Sequence, residues 1–191
     1  AGVFAAAWRR LPPSKAVSWV RDVEVRDLGA RHGLFSPETR RITLHRGLFT
    51  DPPPLIDAQG ISPPHGSPWT SYALHTALHE AMHALGAATG LDHHPAWLKL
   101  SGWRKTAYDR QDTDRYYETR PGWDGGFSEW RHAGDIWFWR DYSRKSPAEA
   151  FADDMTLCAL GWTQCFTGST GLAKLAWLRA QCWARQDLLL T

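Results

Sequence analysis

The amino-acid sequence predicts an α+β fold, in which the strands come first and the helices follow. Two stretches near the start, around Val17 to Val25 and Arg41 to His45, alternate apolar with polar residues as half-buried strands do. Three later stretches space their apolar residues three and four apart, which is the pattern of amphipathic helices. Strands and helices that are separated along the chain in this way are typical of the α+β class.

The 191 residues suit a single domain, which we divide into five consecutive segments. The strand-rich part covers about 14–66 and contains a turn at RHGLFSPETR between its two strands. A first helix at about 68–89 is followed by an aromatic-rich insertion at about 92–145. A second helix at about 147–160 and a C-terminal helix at about 171–188 complete the chain, with a loop at GWTQCFTGSTG between them.

Serine–proline pairs mark the starts of two of these helices, because serine caps a helix N-terminus and proline fits its first position. Ser67 and Pro68 precede the first helix, and Gly90 is placed to end it. Ser146 and Pro147 open the second helix. The first helix is expected to be buried, since its apolar residues repeat at helical spacing: Leu74, Leu78, Ala81, Met82 and Leu85.

The composition argues against two classes of partner. Lys and Arg outnumber Asp and Glu by only 22 to 20 and form no basic block, so no nucleic-acid partner is expected. No apolar run approaches the roughly 20 residues that span a bilayer, so no membrane partner is expected.

The tryptophans and cysteines each leave a question open. The tryptophans between Trp97 and Trp139 either line substrate pockets or a lid, or build a second small core, which we expect for most of them. The three cysteines, Cys158, Cys165 and Cys182, form no C-x-x-C pair, so cysteine-bound zinc is not expected, and their disulfide pairing stays open.

The first helix carries the motif H-E-x-x-H within LHEAMHALG, as His79, Glu80 and His83. Residues four apart lie on one helix face, so the two imidazoles can bind the same Zn²⁺ ion. Glu80 lies one position round the helix, where its carboxylate can take a proton from water bound to that ion. We interpret His75, one turn earlier, as a packing or supporting residue, because a His75–His79 site would leave Glu80 and His83 without a role. The motif predicts a zinc site that needs one further ligand.

One candidate for the third ligand lies close to the motif. The metzincin pattern H-E-x-x-H-x-x-G-x-x-H is matched through Gly86, but Thr89 stands where its third histidine belongs. Asp92 and His93 lie just beyond, and a longer loop could bring either of them back to the metal. A metzincin-like protease with His93 or Asp92 as third ligand is therefore one alternative.

The other candidate, Glu149 in SPAEAFADD, lies at the start of the second helix. Asp153 is four residues further on and faces the same way, so it can hydrogen-bond a ligand histidine and fix its orientation. Ser146 to Glu149 also matches a capping box, in which Glu149 would only reach back to the Ser146 amide. With H-E-x-x-H upstream we favour the ligand interpretation, since two histidines and one glutamate are a common catalytic zinc set.

Taken together, HEAMH and the later EAFAD resemble the gluzincins, in which a glutamate on a downstream helix completes the H-E-x-x-H site. The similarity is closer to the anthrax lethal factor-like metallopeptidases, which include the Pro-Pro endopeptidases, and it covers Arg41 to about Leu160. In that group a tyrosine seven residues before the ligand glutamate points into the active site, and Tyr142 stands seven before Glu149. The segment between His83 and Glu149 is longer than is usual there.

The resemblance implies a zincin-like fold: a small mixed sheet with its edge strand over the active-site helix, then a helical C-terminal half. It implies a zinc endopeptidase, either a secreted bacterial protease or an effector or toxin domain. RRITLH resembles the edge strand along which those enzymes lay their substrate, so a peptide is expected near Ile42 to Leu44. The implied site consists of the zinc ligands His79, His83 and Glu149, the base Glu80, the oxyanion donor Tyr142 and the supporting Asp153.

A third hypothesis belongs to another class of function. Short motifs also arise by chance, so the chain could be a non-catalytic binding module in which zinc staples the fold or no metal binds. The role of Glu80 separates this hypothesis from the two enzymatic ones.

Overall fold

The computed structural model describes residues 2–11, 19–50, 72–107, 120–121, 127–131 and 136–182, which form a mixed α+β fold as the sequence predicts. Its helices are α1 (Gly2–Trp8), α2 (Gly47–Thr50), α3 (Tyr72–Thr89), α4 (Pro95–Leu100), α5 (Pro147–Leu160) and α6 (Gly168–Cys182). Its strands are β1 (Asp22–Arg26), β2 (Gly33–Ser36), β3 (Arg41–His45), β4 (Arg104–Ala107), β5 (Arg120–Pro121) and β6 (Phe127–Arg131).

The first sheet has the strand order β1-β3-β2, with β1 parallel and β2 antiparallel to β3. The predicted strand Arg41–His45 is therefore central, and the expectation that Ile42 to Leu44 form a substrate-binding edge is wrong. Ile42, Thr43 and Leu44 are all buried, because β3 is paired on both sides and packs against α3. The edges of this sheet are β1 and β2.

The strand β2 forms within RHGLFSPETR, where the sequence predicts only a turn. The turn is confined to residues 37–40 and includes Arg40 with a φ of 53°. The four residues before it pair with β3, from Gly33 opposite Leu44 to Ser36 opposite Arg41. A strand of four half-buried residues is too short to show a clear alternation, so its pairing with β3 decides its conformation. The predicted strand at Val17 to Val25 begins at Asp22 among the described residues, and 12–18 lie outside them.

The helix α3 runs through the centre of the molecule and ends at Gly90, whose φ of 70° is the left-handed conformation predicted there. Its predicted start at Ser67 and Pro68 lies outside the described residues. Burial of its apolar residues is confirmed, and α3 packs most extensively against α5. The remaining faces of α3 meet α1 and β2, so even its polar residues are mostly buried.

The helix α5 has the predicted bounds, and its first turn is capped as expected: the Ser146 hydroxyl accepts a hydrogen bond from the Glu149 amide at 3.1 Å. The helix α6 begins at Gly168, three residues earlier than predicted, and residues 183–191 lie outside the described part. A Cβ on Gly171 would lie 3.1 Å from the Phe166 carbonyl carbon and 3.2 Å from the Trp137 ring. The glycine-rich stretch that suggested a loop therefore lets the first turn of α6 pack closely.

The aromatic-rich segment contains α4 and a second sheet with the strand order β4-β6-β5, which the sequence does not predict. Trp97 and Trp103 are buried in the main core, so the expectation that such tryptophans build a second small core is wrong for these two. The three cysteines are free thiols. Within the described ranges, no helix is long and apolar enough to cross a bilayer.

Candidate metal centre

Three side chains from α3 and α5 converge on one point. His79 and His83 are one turn apart on α3, and Glu149 comes from the first turn of α5. Glu149 Oε2 lies 3.0 Å from His79 Nε2 and 3.1 Å from His83 Nε2, and the two nitrogens are 3.1 Å apart. Ligand atoms about 2.0–2.1 Å from a tetrahedral zinc ion are separated by about 3.3 Å, so this spacing suits such an ion. The side chain of Glu149 faces the histidines, while only its backbone amide serves the helix cap.

The charges in this cluster favour a cation. Burial opposes protonation of His79, but Asp153 and Glu149 outweigh it and raise the pKa of His79 to about 10. Burial also opposes ionisation of Glu149, yet His83 and His79 hold the pKa of its carboxyl well below the usual range. Two imidazole nitrogens and a carboxylate oxygen at 3 Å therefore need a proton or a metal ion between them.

Asp153 lies on the side of His79 away from Glu149. Its Oδ1 lies 3.0 Å from His79 Nδ1, close enough for an ion pair, although the approach angle is not that of a good hydrogen bond. Asp153 is completely buried and receives hydrogen bonds from Arg140 Nε at 2.8 Å and Ser143 Oγ at 2.6 Å. Burial opposes ionisation, but Arg140 and His79 lower the pKa of Asp153, so it is a carboxylate.

Sequence reasoning missed Arg140 and Ser143. They lie 13 and 10 residues before Asp153, in the segment that enters α5, and no helical or strand spacing connects them to it. The only signal available in the sequence was that a buried carboxylate needs a charged or hydrogen-bonding partner.

Glu80 is buried against the strand β2. Burial raises the pKa of its carboxyl, an effect that His79 and His83 oppose, and the Phe35 amide of β2 donates a hydrogen bond to it. Gly33 makes this close approach possible: a Cβ at Gly33 would lie only 2.5 Å from Glu80 Oε1. The predicted base is thus held between the two histidines and the sheet edge.

Tyr142 lies beside the same three side chains. Its hydroxyl donates a hydrogen bond to Glu149 Oε1 at 3.2 Å, and its ring centroid is 5.9 Å from that of His79. Burial and the neighbouring Glu149 raise the pKa of Tyr142, so the hydroxyl keeps its proton and can donate it in a hydrogen bond. Two cations contact the ring: Arg140 Cζ lies 4.7 Å from its centroid and Lys145 Nζ 3.9 Å.

His75 packs beside the cluster and is not part of it, in agreement with the sequence interpretation. Its ring stacks between those of Tyr72 and His79, with centroids 6.2 and 6.3 Å away, and it contacts Trp139. It is 2% exposed, and burial lowers its pKa to about 3, so the ring is neutral.

The alternative ligands Asp92 and His93 are not brought to the two histidines. Among the described residues, the group placed to hold a metal consists of His79, His83 and Glu149. Asp92 instead packs against Gly86, where a Cβ would lie 2.9 Å from the Asp92 carboxyl carbon, and it lies 3.1 Å from His93 Nδ1. The glycine of the motif therefore provides room for Asp92.

The cluster opens into a cleft of about 860 Å³ between β2 on one side and α3 and α5 on the other. Backbone and side chains of residues 30–35 form one wall, and Tyr142, Lys145 and Glu149 are among the residues of the opposite wall. A cleft of this size lies within the range of about 300–1,000 Å³ that is typical of ligand sites in proteins.

Comparison with known proteins adds no relative: no family model, curated protein or solved structure is detectably similar to this chain.

Proposed function

We propose that this chain is a zinc-dependent endopeptidase of the gluzincin type, resembling the anthrax lethal factor-like metallopeptidases. The observation that carries the proposal is the convergence of His79 Nε2, His83 Nε2 and Glu149 Oε2, with Glu80 beside them in an open cleft. A zinc-stapled binding module would not need a buried carboxylate next to the ligands, because its metal has no reaction to support.

The donor set suits zinc in its catalytic form. Two imidazoles and one carboxylate, from His79, His83 and Glu149, would be three protein ligands, the number that catalytic zinc sites use. Zn²⁺ held there would lower the pKa of water to about 7 and polarise the carbonyl of a peptide bond. Asp153 would hold His79 in the orientation that directs its Nε2 at the ion.

Glu80 would act as the general base, and Tyr142 would act as the donor to the oxyanion. Glu80 accepts the proton of the attacking water and returns it to the leaving amine, for which burial gives its carboxyl a suitably raised pKa. Tyr142 donates its hydrogen bond to the oxyanion of the tetrahedral intermediate, moving from Glu149 Oε1 as that charge develops.

The substrate would pair with β2, the edge strand that borders the cleft. The His45 amide donates to the His32 carbonyl at 2.8 Å, so alternation along β2 turns the backbone groups of Leu34 and Ser36 towards β3. The backbone groups of Gly33 and Phe35 then face the cleft, where the Phe35 amide already bonds Glu80. A peptide that adds antiparallel to this edge would run past the cluster.

Proteolysis by a Glu80→Gln variant tests the proposal. We expect zinc-loaded wild-type protein to cleave casein, and Glu80→Gln to lose about 10²–10⁴-fold in rate while it keeps one zinc ion per chain. Glu38→Gln is the matched control, because Glu38 is exposed and hydrogen-bonds only Ser36 in the described structure. Full activity of Glu80→Gln would disprove the mechanism, and zinc binding without any cleavage by wild type would favour the binding module.

A further inference from the structure

Arg140 connects two parts of the cluster that the proposed mechanism treats separately. Its Nε donates to Asp153 Oδ2 at 2.8 Å, and its Nη2 donates to Asp153 Oδ1. The same guanidinium has its Cζ 4.7 Å from the Tyr142 ring centroid and 5.4 Å from that of Trp139. Arg140 is 8% exposed, so these contacts are formed away from bulk solvent.

The geometry of these contacts restrains the orientation of the Arg140 guanidinium more than charge attraction alone would. A guanidinium with two parallel hydrogen bonds to one carboxylate has a defined plane, and a planar cation can stack on an aromatic ring. The Asp153 carboxylate lies 3.0 Å from His79 Nδ1, and the Tyr142 hydroxyl lies 3.2 Å from Glu149 Oε1. Arg140 therefore contacts both the carboxylate beside His79 and the ring of Tyr142.

We propose that Arg140 is a positioning residue that couples the orientation of His79 to that of Tyr142. By fixing Asp153 behind His79, the guanidinium plane of Arg140 also fixes the ring of Tyr142 and so places the tyrosine hydroxyl. This inference rests on the proposed function, because it assigns the placed hydroxyl a role in catalysis. It adds a residue that neither the motif nor the resemblance identifies.

Lys145 shows why a cation on the ring is not sufficient for this role. Its Nζ is 3.9 Å from the Tyr142 ring centroid, closer than Arg140, but its side chain is exposed. Within the described residues, no carboxylate forms an ion pair with it, so little restrains the direction of its flexible stem. The guanidinium of Arg140 is held by the fully buried Asp153 carboxylate while it contacts the Tyr142 ring, so it can transmit a fixed orientation.

The competing explanation is that Arg140 only neutralises Asp153. In that case its removal would weaken the support of His79 and leave Tyr142 unaffected. Loss of Arg140 and loss of the Tyr142 hydroxyl would then have independent effects, whose fold-changes multiply. If the two residues are coupled, the kcat of the double variant would be only slightly lower than that of Tyr142→Phe alone.

A double-mutant cycle of Arg140→Met and Tyr142→Phe, with kcat for casein measured at saturating zinc, distinguishes the two explanations. We expect Arg140→Met to lower kcat about 10–100-fold in the wild-type background and about threefold or less in the Tyr142→Phe background. Arg144→Met is the matched control: its guanidinium also lies over a ring, that of Phe138 at 5.8 Å, and we expect kcat to be unchanged. Equal losses of kcat in both backgrounds would overturn the inference.

Arg140→Lys is the second variant, in case Arg140→Met does not fold. It keeps the positive charge next to Asp153 but loses the planar fork, so the coupling explanation predicts the same pattern with a similar loss of kcat. Wild-type kcat in Arg140→Lys would show that charge alone suffices and would overturn the inference.

A binding measurement keeps the inference separate from the proposed function. Acetohydroxamate binds zinc through its oxygens, so its dissociation constant from the zinc-loaded protein reports the Tyr142 hydrogen bond without any peptide cleavage. We expect Arg140→Met, Tyr142→Phe and the double variant to weaken this binding to a similar extent, about tenfold each. If wild type cleaves no peptide, the proposed function fails, and the same cycle on acetohydroxamate still decides the inference. A wild-type chain that binds no zinc overturns both.

Discussion

The carboxylate of Glu80 occupies the space that a side chain on Gly33 would fill: a Cβ at Gly33 would lie 2.5 Å from Glu80 Oε1 and 2.8 Å from Thr76 Cγ2. The edge strand β2 and the helix α3 are thus in contact at the residue that we propose as the general base. A side chain at position 33 would therefore restrict where Glu80 can point.

Gly33→Ala is expected to displace the Glu80 side chain, because neither the backbone of α3 nor the strand β2 can move without breaking its own backbone hydrogen bonds. We expect about 1–3 kcal/mol lower stability from overpacking and about 10²-fold lower kcat from misplacement of the base, with zinc retained. Gly29→Ala is the control: Gly29 has a φ of 61° but meets nothing within 4 Å, so it costs stability without moving Glu80. Normal kcat in Gly33→Ala, measured together with zinc content, would contradict this role of the contact.

Removal of Glu149 separates the gluzincin proposal from the metzincin-like alternative. We expect Glu149→Ala to lower zinc affinity by more than the roughly 10–100-fold that loss of a supporting residue causes, since one of three ligands is lost. His93→Ala is expected to keep wild-type affinity, because His93 pairs with Asp92 and is not grouped with His79, His83 and Glu149 in the described structure. Competition with a zinc-binding dye measures both, and the opposite ranking would identify His93 as the ligand.

Tyr142→Phe removes the proposed oxyanion donor with a minimal change of shape. We expect kcat to fall about 10²–10³-fold while KM and zinc content stay within a few-fold of wild type, because the hydrogen bond strengthens only in the transition state. Tyr72→Phe provides the comparison, since its hydroxyl bonds His32 Nδ1 at 2.6 Å and not Glu149. A change of KM alone would assign Tyr142 to substrate binding.

His75 gives the metal-free protein a defined sensitivity to acid. Its pKa is about 3 when folded and about 6.5 when unfolded, so below pH 6.5 the unfolded chain takes up a proton that the folded chain does not. The stability that neutral His75 contributes is thus complete above pH 6.5 and decreases as the pH falls towards 3, by up to about 5 kcal/mol.

His75→Phe keeps a ring in the stack and removes the titrating group. Urea unfolding between pH 7.5 and 4.5 is expected to show wild type losing stability relative to this variant as the pH decreases. His94→Asn is the control, because His94 is exposed and asparagine keeps an acceptor for the Ala96 amide that His94 Nδ1 caps. Parallel curves for wild type and His75→Phe would refute the proposed effect of burial.

Local chemistry explains why the helices were predictable. The Ser146 cap and Gly161, which has a φ of 75°, define α5 through interactions within a few residues, and Gly90 ends α3 in the same way. The short strand β2 was missed because four residues carry little pattern, and its pairing with β3 decides its conformation. The central place of β3 was missed for a related reason: strand order depends on which elements pair, and a single strand's pattern does not contain it.

The candidate site likewise combines features that local sequence predicts with features that depend on contacts between distant elements. His79, Glu80 and His83 share one helix, so a spacing of four predicts their common face, and the cap at Ser146 places Glu149 in a first turn. The contacts between Glu149 and the histidines span up to 70 residues, and those of Glu80 with β2 and of Arg140 with Asp153 also cross between elements. The sequence alone determined the fold class and the helices that carry the site, because helical periodicity and capping are local. The tertiary structure decided which edge borders the cleft and which buried charges support the site, because those depend on the packing of α3 against α5 and β2.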